Sequence, residues 1–107
     1  MDNQRLRQLL AFYEEDPTDP FNLYALALEY RGADDERATF FFQKLLDDVP
    51  HYLPTYYPAA QFYAERGEEA TARTVFERGI ALASATRQEK THRELQAAYR
   101  QWQDEWA

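Results

Sequence analysis

Several residue types and patterns are scarce or missing in this sequence. It contains no cysteine, which excludes a disulfide framework and thiolate chemistry. Its three glycines are too few for a phosphate-binding loop or another glycine-rich cradle. No stretch approaches the roughly 18 consecutive apolar residues of a membrane span, and the residues after Met1, DNQRLRQLL, lack the apolar run of a signal peptide. We therefore expect a cytoplasmic protein without a membrane partner.

Positive charge is also scarce. Twelve Lys and Arg residues stand against 19 Asp and Glu residues, so the formal net charge is −7 at pH 7. Proteins that bind nucleic acid normally present a basic stripe to the phosphates, so we expect no nucleic-acid partner. What the sequence does contain is 45% hydrophobic residues, with 16% aromatic residues, in a chain of 107. This composition predicts a packed core in one small domain or a short array of repeats.

The chain repeats itself. Residues 21–32, FNLYALALEYRG, align with residues 56–67, YYPAAQFYAERG, at an offset of 35, and both segments end in an Arg-Gly pair. Residues 38–46, ATFFFQKLL, align with residues 72–80, ARTVFERGI, at an offset of 34. A repeat of about this length indicates a supersecondary unit that stacks on its neighbours.

Each copy is predicted to form two helices joined at the Arg-Gly pair. In the first copy the apolar residues recur at i, i+3, i+4 and i+7, the spacing of an amphipathic helix: Phe21, Tyr24, Ala25 and Leu28. Gly32 and Gly67 then end the first helices, because glycine adopts the left-handed conformation at little cost. The acids that follow, Asp34-Asp35 and Glu68-Glu69, suit the start of the next helix.

The two copies resemble tetratricopeptide repeats, whose signature is W-x2-L-G-x2-Y…A-x3-F…P. The matching residues of the first copy are Phe21, Tyr24, Ala25, Leu28, Ala38, Phe42 and Pro50. Those of the second copy are Tyr56, Ala59, Ala60, Tyr63, Ala72 and Phe76, with Ser84 in place of the usual proline. The resemblance covers about residues 19–84. It implies an all-α fold, a short right-handed superhelical solenoid of antiparallel helix pairs.

The two ends of the chain complete this solenoid of about six helices. We expect a packing helix at about 3–15, repeats at about 19–52 and 53–85, and a capping helix at about 87–106, all in a single domain over 1–107. The last helix carries Leu95, Tyr99, Trp102 and Trp106 on one stripe. Such a helix can cover the open end of a repeat stack.

Residues that could carry chemistry have simpler explanations. The aromatic residues at or beside core positions, Phe40 among them, are predicted to pack. His51 and His92 have no second His or Cys at metal-ligand spacing, and the acid pairs fall at helix ends, where capping explains them. We therefore predict no enzyme activity, no catalytic or metal residues and no cofactor.

The resemblance implies that a peptide segment or partner helix binds in the groove that the first helix of each unit lines. The groove residues carried over from the family are Asn22, Leu26, Glu29 and Tyr30 in the first unit, and Tyr57, Gln61, Ala64 and Glu65 in the second. No basic residue stands among them, which disfavours an acidic chaperone tail. The predicted partner is a protein or peptide with apolar anchors, positive charge, or both.

One alternative function is open at this point. The Trp-bearing terminal helix could pair with another copy of the chain, which would make the protein a self-assembling structural unit. Trp102 and Trp106 distinguish the two functions, because burial within the chain indicates a cap and exposure indicates an interface. The sequence leaves the oligomeric state open.

Overall fold

The computed structural model describes residues 3–106, and the side chain of Trp106 lies outside the described part. Within these residues the chain forms six α-helices and one short 3₁₀ helix, Leu53–Thr55, and no β-strand. The α-helices are α1 (Gln4–Glu15), α2 (Pro20–Tyr30), α3 (Asp35–Asp48), α4 (Tyr56–Glu65), α5 (Glu69–Ala85) and α6 (Glu89–Trp106). The predicted all-α class is confirmed.

The chain divides into two compact units at the bond between Thr55 and Tyr56. In the first unit α2 packs against α3, and α1 packs against α2. In the second unit α5 packs against both α4 and α6. Each unit therefore contains one of the predicted helical hairpins and one further helix. That the whole chain forms a single domain stays a prediction.

The Arg-Gly pairs form the corners of the two hairpins. Gly32 has a φ of 84° and Gly67 a φ of 75°, both in the left-handed region that an L-residue with a side chain enters only at a cost. After Gly32, the side chain of Asp34 accepts a hydrogen bond from the backbone N–H of Arg37 and so caps α3. The predicted role of these glycines is confirmed.

A third corner, between α5 and α6, has no glycine. Arg87 takes a φ of 57° there. Its N–H donates to the Ser84 carbonyl at 3.2 Å, and the N–H of Gln88 donates to the Ala83 carbonyl at 2.9 Å. The corner at Gly67 closes α4 with the same two types of bond. Because Ser84 stands where the repeat usually has proline, α5 continues to Ala85 before it turns.

The core of each hairpin contains both small and aromatic residues. Ala38 and Ala72 have no exposed surface, as the repeat pattern predicts. The predicted stripe of α4 is also buried: Tyr56, Ala59, Ala60 and Tyr63. Pro58 is the third residue of this helix and therefore costs it little, since the first N–H groups of a helix have no partner within it.

The predicted stripe of α2 is wrong in part. Phe21 is 61% exposed and Leu28 is 39% exposed, whereas the chain buries a different set. The buried residues of α2 are Asn22, Leu23, Ala25, Leu26, Ala27 and Tyr30. The reason is that α2 is apolar at almost every position, so hydrophobic spacing does not select one face. Phe40, predicted to pack, is likewise 55% exposed.

Candidate peptide-binding site

Asn22, the first predicted groove residue, is buried and fastens the end of α1. Its side-chain amide donates to the backbone carbonyl of Phe12 at 3.2 Å and to that of Asp16 at 3.3 Å. Each of these carbonyls also accepts a backbone N–H, from Asp16 and Asp19 respectively, so the amide adds a second hydrogen bond to each. Asn22 therefore acts in the first unit as a connection between α1 and α2.

The other predicted groove residues of the first unit are engaged as well. Glu29 accepts from the side chains of Arg5 at 3.1 Å and Asn3 at 3.2 Å, both at the start of α1. Tyr30 is 6% exposed, and its ring stacks on Phe41 with centroids 5.9 Å apart. Leu26 is fully buried in the core. The contacts of Glu29, Tyr30 and Leu26 are thus made within the first unit and contribute to its packing.

The second unit brings the predicted residues together at a surface depression. It has a volume of about 180 Å³ and lies between α4 and α6. Its walls are Tyr57, Gln61, Ala64 and Glu65 from α4, and Ala98, Gln101, Trp102 and Glu105 from α6, with Phe76 contributed by α5. All four groove residues predicted for this unit thus line one concave surface.

The lining of this depression has a definite chemical character. Tyr57 is 36% exposed. Two carboxylates, Glu65 and Glu105, and two amides, Gln61 and Gln101, surround it, and no Lys, Arg or His is among its described lining residues. Such a surface favours a partner group that is apolar or positively charged and disfavours an anion.

An aromatic cluster fixes the position of α6 beside this depression. The rings of Phe76 and Tyr99 stack at 5.1 Å, and Trp102 lies 5.7 Å from Phe76 and 6.1 Å from Tyr99. The guanidinium of Arg73 lies 5.4 Å from the Trp102 ring centroid and donates to the Tyr99 hydroxyl at 3.4 Å. That hydrogen bond raises the pKa of Arg73 above its usual value.

Trp102 also separates the two functions predicted from the sequence. It is only 7% exposed, and the groups that cover its ring belong to α5 and α6 of its own unit. This is the arrangement expected of a capping helix. Burial of Trp106 was also predicted to distinguish a cap from an interface, but its side chain lies outside the described part of the structure.

Gly79 is important for packing, although the repeat signature does not single it out. A Cβ placed on it would lie 2.6 Å from the Cβ of Tyr56 and 3.2 Å from Cδ1 of Leu95. At this point α4 therefore approaches α5 more closely than a side chain on residue 79 would allow, and the contact with Leu95 of α6 is also tight. A lone glycine inside a helical pattern is the signal that could have shown it.

Two solved structures of a tetratricopeptide repeat domain protein from Salinibacter ruber are similar to this chain. The solution NMR structure is 34% identical over 81% of this chain and 89% of its own length, with a TM-score of 0.74. The crystal structure is 32% identical over 80% of this chain and 97% of its own length, with a TM-score of 0.73. This chain belongs to the tetratricopeptide repeat family. No protein-family model and no curated protein matches it.

The tetratricopeptide fold is typically a non-enzymatic scaffold for protein interaction. Within residues 3–106, no group of three or more His, Cys, Asp or Glu side chains is placed to hold a metal ion. His51 is exposed, and His92 is part of α6. None of the helices in this range has the length and apolar character needed to cross a membrane.

Proposed function

We propose that this tetratricopeptide protein binds an extended peptide segment or a helix of a partner protein at the depression between α4 and α6. The observation that carries the proposal is the convergence of Tyr57, Gln61 and Glu65 on one concave surface. The groove residues of the first unit stay a prediction. Their side chains are buried or paired as described, so the proposal depends on the second unit.

The partner segment that fits this surface combines an apolar anchor with positive charge. The ring of Tyr57 offers an apolar and cation-binding face, which contributes about 0.5–1 kcal/mol at an exposed site. Glu65 and Glu105 are exposed, so each ion pair with the partner contributes at most about 1 kcal/mol. These small terms give a modest affinity that weakens as salt rises, because exposed charges are screened.

A chemical-shift titration tests the proposal. Three peptides of equal length and equal apolar content, one acidic, one neutral and one basic, are added to the labelled protein. We expect the basic peptide to shift the resonances of Tyr57, Gln61 and Gln101 most strongly. Should the acidic peptide alone shift them, the proposed polarity of the site is wrong.

Matched variants localise the binding. Tyr57→Ala and the double variant Glu65→Gln with Glu105→Gln should each weaken binding of the basic peptide. Phe40→Ala removes an exposed ring from the first unit, and Glu36→Gln removes an exposed carboxylate from α3. Both controls should bind as the wild type does. Equal losses in the controls and the groove variants would contradict a site at this depression.

Self-assembly through the terminal helix draws no support from Trp102, which packs inside the second unit. The same titration nevertheless tests it. If no peptide binds and the resonances of α6 depend on protein concentration, self-assembly is the better explanation.

A further inference from the structure

A second depression lies at the corner between α5 and α6, on residues separate from the proposed groove. Its volume is about 350 Å³, and its lining consists of Ala83, Ser84, Arg87, Glu89, His92 and Arg93. Two guanidinium groups, an imidazole and a hydroxyl therefore share one concave surface with a single carboxylate. We infer that this corner is a binding site for an oxyanion such as a phosphate group.

Basic residues outnumber acidic residues in the lining of this depression, whereas acidic residues outnumber basic residues in the whole chain. Acids outnumber bases by 19 to 12, so carboxylate partners are plentiful. Four other arginines, Arg5, Arg37, Arg66 and Arg73, each form an ion pair with a carboxylate.

Within residues 3–106, by contrast, neither Arg87 nor Arg93 has a carboxylate within ion-pair distance. Glu89 precedes Arg93 by four residues, the spacing at which helical ion pairs form, yet no pair forms. Two guanidinium groups at one surface are consequently left to attract a ligand of opposite charge.

The backbone at Arg87 provides a second, independent observation. The corners after α2 and α4 place glycine at their left-handed position, whereas this corner places arginine there with a φ of 57°. The hydrogen bonds around Arg87 match those around Gly67, so glycine would serve the turn equally well. The chain thus carries a long cationic side chain at a position where a side chain is conformationally unfavourable.

The chemistry of these groups suits an oxyanion in particular. A guanidinium offers parallel N–H donors that match two oxygens of a phosphate or carboxylate group. The Ser84 hydroxyl and a ring N–H of His92 add further donors within the same depression. A phosphate group can accept from several of these donors at once, since each of its oxygens has free lone pairs.

The test is a titration of the labelled full chain with inorganic phosphate at constant ionic strength, with acetate and chloride in parallel. We expect phosphate to shift the amide resonances of Arg87, Gln88 and His92 with saturation on the order of millimolar. Saturation with phosphate alone assigns the site to phosphate groups, and saturation with acetate as well assigns it to oxyanions in general. Equal, non-saturating shifts with all three anions would overturn the inference.

Two variants and one control complete the experiment. Arg93→Gln should raise the half-saturating phosphate concentration about tenfold, the effect of losing one charged hydrogen bond. Arg87→Gly should weaken binding similarly while it keeps the turn intact. Arg100→Gln removes an exposed arginine from the same helix outside this depression and should change nothing. If Arg93→Gln and Arg87→Gly bind phosphate as strongly as the control Arg100→Gln does, the inferred site at this depression is wrong.

Discussion

The two hairpins place one repeat position in opposite environments. In the second unit, Tyr56 is 2% exposed, and Gly79 lies against its Cβ. In the first unit, Phe21 stands 35 residues earlier at the same position and is 61% exposed. Leu45, which corresponds to Gly79 at an offset of 34, is fully buried. Two copies with aligned aromatic residues therefore differ in which ring contributes to the core.

We attribute this difference to the size of the residue on the second helix of the hairpin. A glycine leaves room for the start of a large side chain on the neighbouring helix, whereas a leucine fills that room itself. Protein interiors are packed nearly as densely as organic crystals, so both residues cannot occupy the same volume. The repeat signature predicts an aromatic residue at this position, and we expect the size of the residue on the opposite helix to determine whether that aromatic residue is buried.

Removing the two aligned rings tests the comparison most directly. Tyr56→Ala should lower the free energy of unfolding by about 3–5 kcal/mol, because it deletes a buried aromatic side chain and leaves a cavity. Phe21→Ala should change it by less than about 0.5 kcal/mol, because the ring is exposed. Urea denaturation of both variants measures the difference. Similar losses in the two variants would contradict the different burial of the two rings.

Enlarging the small residues tests a position where the two copies agree. Ala38 and Ala72 are both fully buried. Replacing either by Leu should overpack its hairpin and cost about 1–3 kcal/mol. The two denaturation midpoints should fall by similar amounts at unchanged m-values. An unchanged midpoint for Ala72→Leu would count against the repeat alignment in the second unit.

Gly79→Ala tests the close approach that distinguishes the second unit. In an ordinary helix interior this change stabilises by about 0.5–1 kcal/mol. Here the added Cβ would lie 2.6 Å from the Cβ of Tyr56, so α4 and α5 must separate. We expect a loss of about 1–3 kcal/mol instead. The sign of the change in thermal midpoint is decisive, and stabilisation would mean that α4 has room to shift.

Substitutions at two of the helix corners should give the smallest changes in the free energy of unfolding, with opposite signs. Gly67→Val should destabilise by about 1 kcal/mol or more, although nothing lies within 4 Å of the added Cβ, because the cost is conformational. Arg87→Gly should stabilise by about 0.5–1 kcal/mol, because relief of the left-handed conformation outweighs the greater freedom of glycine in the unfolded chain. Paired thermal unfolding of the two variants measures both changes. A loss of stability in Arg87→Gly would indicate that the arginine side chain stabilises the turn by contacts.

Local features of the fold were predictable from the sequence. The left-handed conformations of Gly32 and Gly67 follow from glycine between a helical stripe and acidic residues. The capping by Asp34 and the burial of Ala38 follow from the repeat register. These features depend on a few neighbouring residues, which the sequence places side by side.

The state of the candidate site was less predictable, because it depends on contacts between distant residues. Asn22 is held by backbone carbonyls of α1 and the loop after it, and α1 lies outside the repeat pattern. Tyr30 on α2 is buried against Phe41 on α3. The hydrophobic spacing of α2 does not reveal this contact, because it depends on how the two helices pack. Tyr57 stands at the position of Asn22 in the next copy, yet it lines an accessible depression.

The placement of tryptophan makes the second unit optically distinct. Both tryptophans of the chain, Trp102 and Trp106, belong to this unit. The Trp, Tyr and Phe class is represented in the first unit by tyrosine and phenylalanine alone. Fluorescence excited at wavelengths that tryptophan alone absorbs therefore reports on the environment of tryptophan in the second unit. Far-ultraviolet circular dichroism instead reports on the helical content of both units. Coincident denaturation curves from the two signals indicate that both units unfold in one transition. Separate curves would give each unit its own stability, measured in a chain that carries no added label.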